Sequence, residues 1–395
     1  MPVANSIRES IEKSSWIRKM FEEGARLKTE FGAENVYDFS LGNPDIDPPA
    51  EFFDVLKEFA SEKTGGIHSY MPNAGYPDVR KSIAARVTRE QQTEFTAEGI
   101  IMTCGAAGGM NVALKSLLNP GDEVIVIKPY FVEYGFYISN HGGRPVFVES
   151  APGFSLDIKE IEKAITPVTK AVILNSPNNP TGKIYSAKEI KELADILKPH
   201  NSSERIIYII SDEPYRELAY NGIEVPPIPA VYPDTVITNS YSKSLSIPGE
   251  RIGYAALPSA ASEFNDLIAA MTLCNRVIGF VNAPALMQRI AGRLVDCSVD
   301  VELYRKRRDL LTAGLKKAGY RFAEPEGAFY IFCESPDPDD VNYVKHLQKY
   351  NILTVPGVGF GGPGYFRICY CVPDKTIEKA LPLFEKALRE WNLQQ

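Results

Sequence analysis

The spacing of apolar residues changes character twice along this chain. Between Ile7 and about Phe31, the residues Ile7, Ile11, Ile17, Met20, Phe21 and Leu27 fall near one stripe of a 3.6-residue period, which predicts an amphipathic helix. The Gly-, Asp- and Pro-rich segment FSLGNPDIDPPAE then predicts a loop. From about residue 98, short and nearly continuous apolar runs take over: GIIMTC, EVIVI, RPVFVE, KAVILN, RIIYIIS, TVITNSY and IGYAAL. Runs without polar alternation predict strands buried on both faces. Helix-patterned stretches such as MNVALKSLLN and SAKEIKELADILK lie between several of them, so a largely parallel sheet of seven strands with crossover helices is expected. Beyond about residue 262 the pattern is helical through Arg308 and TAGLKKAG. An α+β part closes the chain: RFAEPEGAFYIFCE, the helix-like DDVNYVKHLQKY, ILTVPG, YFRICY and a helix from Thr376 to about Leu393. The expected fold is α/β, with a large domain over 48–287 whose sheet is sandwiched by helices. A smaller α+β domain is expected from 1–47 and 288–395.

A chain of 395 residues has room for two such unequal domains. Its net charge of −7 disfavours nucleic acid or an anionic membrane as the main partner, and any anionic ligand must be held by local positive groups. The six cysteines (104, 274, 297, 333, 369 and 371) form no CxxC, which points to free thiols rather than a zinc site or disulfide framework. Cys369 and Cys371, two apart in an expected strand, are expected on opposite sides of it. The first residues carry charges throughout and no apolar core of a secretory signal, and no window reaches the length of a spanning helix. A soluble cytoplasmic protein is expected, with no metal.

In open parallel sheets ligands bind beyond the carboxyl ends of the strands. Here those ends carry Gly105-Ala106-Ala107-Gly108-Gly109, SPNNPTG after KAVILN, Asp212-Glu213-Pro214-Tyr215, and Ser242-Lys243-Ser244. Small residues opening a helix let backbone N–H groups approach a phosphate, although a plain tight turn would read the same. An Asp at a strand end needs a cationic or hydrogen-bonding partner. Lys243 has no obvious carboxylate neighbour in sequence; taken alone, such a residue is usually a solvated loop lysine. Gly357-Val358-Gly359-Phe360-Gly361-Gly362 fits G-x-G-x-x-G, but Pro363, Gly364 and the strand-like YFRICY follow where a dinucleotide fingerprint needs a helix. It is read as a Gly-rich loop at a domain junction.

Four stretches in order carry a resemblance. The run Ser240-Tyr241-Ser242-Lys243-Ser244-Leu245-Ser246-Ile247-Pro248-Gly249-Glu250-Arg251-Ile252-Gly253 matches a lysine signature at its constrained positions. Asn175-Ser176-Pro177-Asn178-Asn179-Pro180-Thr181-Gly182, Asp212-Glu213-Pro214-Tyr215 and Phe366-Arg367-Ile368 accompany it. From about Phe39 to Arg367 the chain resembles the class I/II aminotransferases of the fold-type-I pyridoxal-phosphate enzymes, among them bacterial aspartate aminotransferase-like members. The resemblance implies pyridoxal 5'-phosphate held as a Schiff base on Lys243, with Asp212 at the pyridine nitrogen. Tyr215 and Asn179 would bond the phenolic oxygen, and Phe131 would stack on the ring, with Tyr130 the neighbouring alternative. The phosphate would be held at Gly105, Ala106 and Ala107, by Ser240, Ser242 and Arg251, and by Tyr70 reaching from the other subunit of a homodimer. Arg367 would take the substrate α-carboxylate, with backbone near Gly42 closing over it.

The implied activity moves an amino group between an L-amino acid and a 2-oxo acid by a ping-pong mechanism. Related bacterial enzymes often place a Lys near the phosphate loop for a distal carboxylate; this chain has Ala107 there, which leaves aspartate/2-oxoglutarate-type and broader apolar or aromatic donors both open. Arg276 lies near where another branch keeps its distal-carboxylate arginine. A β-eliminating C–S lyase or a decarboxylase on the same fold stays an alternative. A ligand-binding regulatory protein on an aminotransferase body would be expected to carry an added DNA-binding domain, for which this chain leaves no room.

Overall fold

The computed structural model describes residues 3–4, 7–8, 11, 16–62 and 65–393. Each of the seven apolar runs is a strand. They are β1 (Ile100–Thr103), β2 (Glu123–Lys128), β3 (Arg144–Glu149), β4 (Thr169–Asn175), β5 (Tyr208–Asp212), β6 (Thr235–Ser240) and β7 (Gly253–Ala256). They form one sheet in the order β1-β7-β6-β5-β4-β2-β3. All run parallel except β7, which lies antiparallel to both β1 and β6.

The missing alternation has a direct cause in the packing. In β2, Val124 and Val126 enter one apolar cluster while Ile125 and Ile127 enter another. Successive side chains point to opposite faces, and here both faces are covered. Burying each such side chain is worth roughly 1.5–3 kcal/mol, so neither face tolerates a polar residue cheaply.

Register sets what the carboxyl edge presents. Asn175 pairs with Asp212 and Asp212 with Thr238, so three polar side chains from β4, β5 and β6 stand in one row on one face.

A second body packs beside this sheet. It holds β8 (Tyr330–Glu334), β9 (Val355–Pro356) and β10 (Tyr365–Cys369) as an antiparallel sheet in the order β9-β10-β8. A two-residue parallel pair, Tyr37–Asp38 with Ile352–Leu353, lies apart from it. The helices Val301–Ala318 and Asp374–Asn392 cover an aromatic-rich core that includes Phe329, Phe332, Tyr343, Phe366 and Phe384. Met20 of the helix Trp16–Phe31 joins that core, and Leu27 packs with Val36 and Leu353.

The sequence expectation needs correcting at two places. Ile7 and Ile11 are exposed rather than part of a buried stripe, and the side chains of Ile17 and Phe21 lie outside the described residues. Cys369 and Cys371 do not face opposite sides: a period of two returns i+2 to the same face, and their Sγ atoms are 3.0 Å apart. The Gly357–Phe360 segment is a 3-10 turn between β9 and β10, with no helix to receive a pyrophosphate. Among the described residues no helix is long and apolar enough to cross a membrane, and no group of three or more His, Cys, Asp or Glu could hold a metal.

Candidate active site

Beyond the carboxyl ends of β4, β5 and β6 lies a cavity of about 300 Å³. Gly42, Ala106, Ala107, Phe131, Asn179, Asp212, Tyr215, Ser240, Ser242, Lys243, Arg251 and Arg367 all line it. Gly105 sits immediately behind the lining, and Tyr70 lies outside it, 89% exposed. Phe131 faces the cavity, whereas Tyr130 stacks on Phe147 with ring centroids 4.8 Å apart.

Asp212 ends β5 and is buried. The Tyr134 hydroxyl donates to its Oδ2 at 2.6 Å and the Thr238 hydroxyl to its Oδ1 at 3.1 Å. Burial pushes this carboxyl up to about 6, while the two hydroxyl donors pull against that rise. Among the described residues it has no ion-pair partner, so its charge is left for a ligand.

Lys243 stands on the one-turn helix Tyr241–Ser244 that follows β6. Its Nζ donates to the Gly42 carbonyl at 2.6 Å, and burial holds the amine below its ordinary value. A lysine so desolvated keeps a larger fraction in the neutral, nucleophilic form.

At one end the cavity is built for an anion. The helix Gly105–Leu117 starts there without a side-chain cap, so its first N–H groups and positive dipole end are free to act. Gly105 has φ +74°, and a Cβ on it would come within 2.9 Å of Arg251 Nη2. The Arg251 guanidinium is fixed by the carbonyls of Pro248 at 2.9 Å and Cys104 at 3.4 Å.

The opposite wall is Arg367, on β10 and 2% exposed. Its guanidinium lies between the Tyr330 and Phe360 rings, 4.5 and 4.6 Å from their centroids. It donates to Asn179 Oδ1 at 3.0 Å and to the Ser40 carbonyl at 2.6 Å, and its Nε is buried without a partner. No carboxylate of the described residues neutralises it, which suits a ligand carboxylate. Tyr330 also shares a 2.8 Å hydrogen bond with Tyr215. A Cβ on Gly42 would lie 2.1 Å from the Tyr330 hydroxyl, so this position requires glycine.

Sequence reading missed Tyr134, Thr238, Asn175, Tyr137 and Tyr330, although all but Thr238 line the cavity. Two signals were available. Tyr134 follows Phe131 at one helical step, and Thr238 precedes Ser240 by one strand period. Arg276 ends the helix Phe264–Val277 on the surface and does not line the cavity.

This arrangement is that of an enzyme carrying out amine chemistry on an acid, and comparison with known proteins agrees. The family model for aminotransferase class I and II matches residues 34–382, and the chain belongs to that family. It is a transaminase-type enzyme. A probable aspartate/prephenate aminotransferase of Thermus aquaticus is 34% identical over 356 residues, covering 89% of this chain and 91% of the relative. An aminotransferase from Eubacterium rectale superposes with a TM-score of 0.95 at 38% identity, covering 99% of this chain and all of that one. The aspartate aminotransferase of Thermus thermophilus with maleate superposes at 0.86 with 30% identity, covering 98% and 100%.

Proposed function

We propose that this aminotransferase holds pyridoxal 5'-phosphate on Lys243 and shuttles an amino group between an L-amino acid and a 2-oxo acid by ping-pong turnover. One observation carries the reading. A desolvated lysine, an unpaired buried carboxylate and an unpaired buried guanidinium line one cavity that has an anion-accepting helix end. The residues fit the cofactor's chemistry: Asp212 has no ion-pair partner among the described residues, the helix Gly105–Leu117 opens on the cavity without a side-chain cap, and Phe131 offers a ring face.

When bound, the cofactor supplies a carbonyl carbon that an amine can join and a ring that accepts electrons. Lys243 would provide the amine that holds it and, when free, the base that takes the substrate α-proton and later returns it. Asp212, kept ionised by Tyr134 and Thr238, would hold the protonated ring nitrogen. Tyr215 and Asn179 would donate to the phenolic oxygen. Backbone at Gly105, Ala106 and Ala107, the hydroxyls of Ser240 and Ser242, and Arg251 would take the phosphate. Arg367 holds the substrate α-carboxylate beside Gly42.

The large domain over 48–287 and the small domain of 1–47 and 288–395 would move toward each other on substrate. The working unit is a cytoplasmic homodimer, to which Tyr70 contributes across the interface. Exposed Leu273, Val277 and Val281 support this, because Asn275 and Asn282 tie their segment to the carbonyls of Asn73 and Pro72, beside Tyr70.

The cations on the cavity wall, Lys243, Arg251 and Arg367, all have roles in this scheme, and Ala107 adds none. We therefore read a broad donor range reaching apolar and aromatic amino acids beside the aspartate/2-oxoglutarate couple. A distal carboxylate would have to meet the partner subunit, where the partner's Arg276 is a candidate. A donor panel against 2-oxoglutarate and pyruvate, followed by the cofactor's colour change, tests this. Turnover of several donor classes supports it; strict dependence on acidic donors contradicts it. Release of 2-oxo acid without an amino acceptor would favour a β-eliminating lyase instead.

A further inference from the structure

Tyr215 has a neighbour to which the scheme above gives no role. Tyr330 opens β8 in the second body, lines the cavity and is buried. Its hydroxyl lies 2.8 Å from that of Tyr215, and the two rings meet edge to face, 5.7 Å apart at 82°. Its own ring carries the Arg367 guanidinium, 4.5 Å from the centroid. Gly42 covers the hydroxyl so closely that a Cβ there would lie 2.1 Å from it.

The direction of the bond between the two hydroxyls follows from counting protons. A phenol has one proton to give and lone pairs with which to accept. Among the described residues, the Tyr215 oxygen is the acceptor within reach of the Tyr330 hydroxyl. Were Tyr215 the donor, the Tyr330 proton would stay buried under Gly42 with nothing to accept it, which costs its full desolvation. With Tyr330 as donor, that proton is placed, and the Tyr215 proton is free for an acceptor in the cavity. The surroundings of Tyr215 agree. Burial pushes its phenol up, the hydrogen bond from Tyr330 and the Arg367 charge pull it back, and Cys369 and Asp212 push it further up.

We propose that Tyr330 is a positioning residue for the reaction. Its hydroxyl donates to Tyr215, so that the single Tyr215 proton points at the phenolic oxygen of bound pyridoxal 5'-phosphate, and its ring seats Arg367; the inference rests on the cofactor reading of the same cavity. The two parts of one side chain then serve different ends. The ring acts on the substrate carboxylate through Arg367. The hydroxyl acts on the cofactor through Tyr215, because accepting a hydrogen bond polarises the Tyr215 O–H and makes it a stronger donor. A stronger donor favours the anionic form of the phenolic oxygen, so the loaded enzyme loses its cofactor-site proton at lower pH.

The test follows the absorbance of the cofactor-loaded enzyme against pH in wild type, Tyr330→Phe, Tyr215→Phe and the double variant. Tyr215→Phe should raise the midpoint of the colour change by about 1–2 in pH, the scale of one hydrogen bond to a charged oxygen. Tyr330→Phe should raise it by about 0.5–1, because a neutral bond one step removed is lost. The double variant should match Tyr215→Phe within about 0.3, since Tyr330 acts on the cofactor only through Tyr215. Phenylalanine keeps the ring under Arg367, so KM for amino donors should stay within about twofold of wild type while kcat falls by up to roughly tenfold. Tyr330→Leu removes the ring as well and should raise KM. Incorporating 3-fluorotyrosine at position 330, close to tyrosine in size and a stronger donor, should move the midpoint below that of wild type.

A Tyr330→Phe midpoint equal to wild type would overturn the proposal. So would shifts that add in the double variant, or a midpoint that stays or rises with fluorotyrosine. The fluorotyrosine arm keeps the buried hydroxyl and decides the matter even if Tyr330→Phe does not fold. Wild-type protein that takes up no pyridoxal 5'-phosphate, or holds it without a pH-dependent colour, would count against the cofactor reading itself, and the role of Tyr330 would fall with it.

Discussion

The two walls of the cavity are built by different means. The wall at the sheet edge, Asn175, Asp212, Thr238 and Ser240, is fixed by strand register inside a core packed on both faces. The facing wall, Arg367 with Ser40 and Gly42, rests on one antiparallel strand, a loop and two aromatic rings. A register-built wall is rigid because moving one residue means shifting a whole strand. A loop-built wall moves at lower cost, which suits the part that must admit and release substrate. Substitutions on the first wall should therefore change the rate of the chemical step, and substitutions on the second the affinity for substrate.

The largest effect is expected at the first wall. Lys243→Ala should lower kcat by on the order of 10⁴-fold while the protein still binds the cofactor, since both the covalent hold and the proton carrier are lost. Retained turnover would break the comparison at its strongest point. On the second wall, Arg367→Ala should raise KM roughly 10²-fold for every donor whatever its side chain, with a smaller change in kcat, as removing one partner of a buried charge pair costs about 2–5 kcal/mol. Arg367→Lys keeps the charge but loses the fork and should fall between.

Asp212 gives a prediction without turnover. Its folded carboxyl sits at about 6 against an ordinary 3.8. The folded chain therefore binds that proton more tightly than the unfolded chain. The stability of the cofactor-free protein should fall as pH rises from about 4 to about 6 and stay at the lower level above that, by on the order of 3 kcal/mol. Cofactor-free Asp212→Asn, which carries no buried charge, should melt higher than wild type at pH 8 and lose that advantage near pH 4. The same melting temperature at both pH values would show that the carboxylate is not strained by burial. The smallest effect is expected for Tyr134→Phe. Without that donor the Asp212 carboxyl rises further, so the acid limb of the kcat profile should move to higher pH, with a drop of roughly 3–10-fold at pH 7 from one lost hydrogen bond.

The register-built wall was also the legible one. Apolar runs such as EVIVI and KAVILN carry their own burial pattern, and each marks where a strand stops, so Asp212 and Lys243 could be found from local text. The other wall depends on long-range contacts. Nothing near Tyr330 in sequence announces that its hydroxyl meets Tyr215 or closes on Gly42. Tyr134 reaches Asp212 across 78 residues. The cysteine pair was misplaced for a different reason: the strand period was available but applied with the wrong parity. Tyr70 was assigned from the resemblance alone: it is exposed and outside the cavity, so no local contact marks it.

Reduction of the cofactor-loaded enzyme with borohydride, followed by peptide mapping of the stable adduct, addresses the core of the account most directly. The adduct should sit on the lysine at position 243 in wild type and also in Arg367→Ala, because the two walls act separately. An adduct on any other lysine, or none in enzyme that turns over, would contradict it.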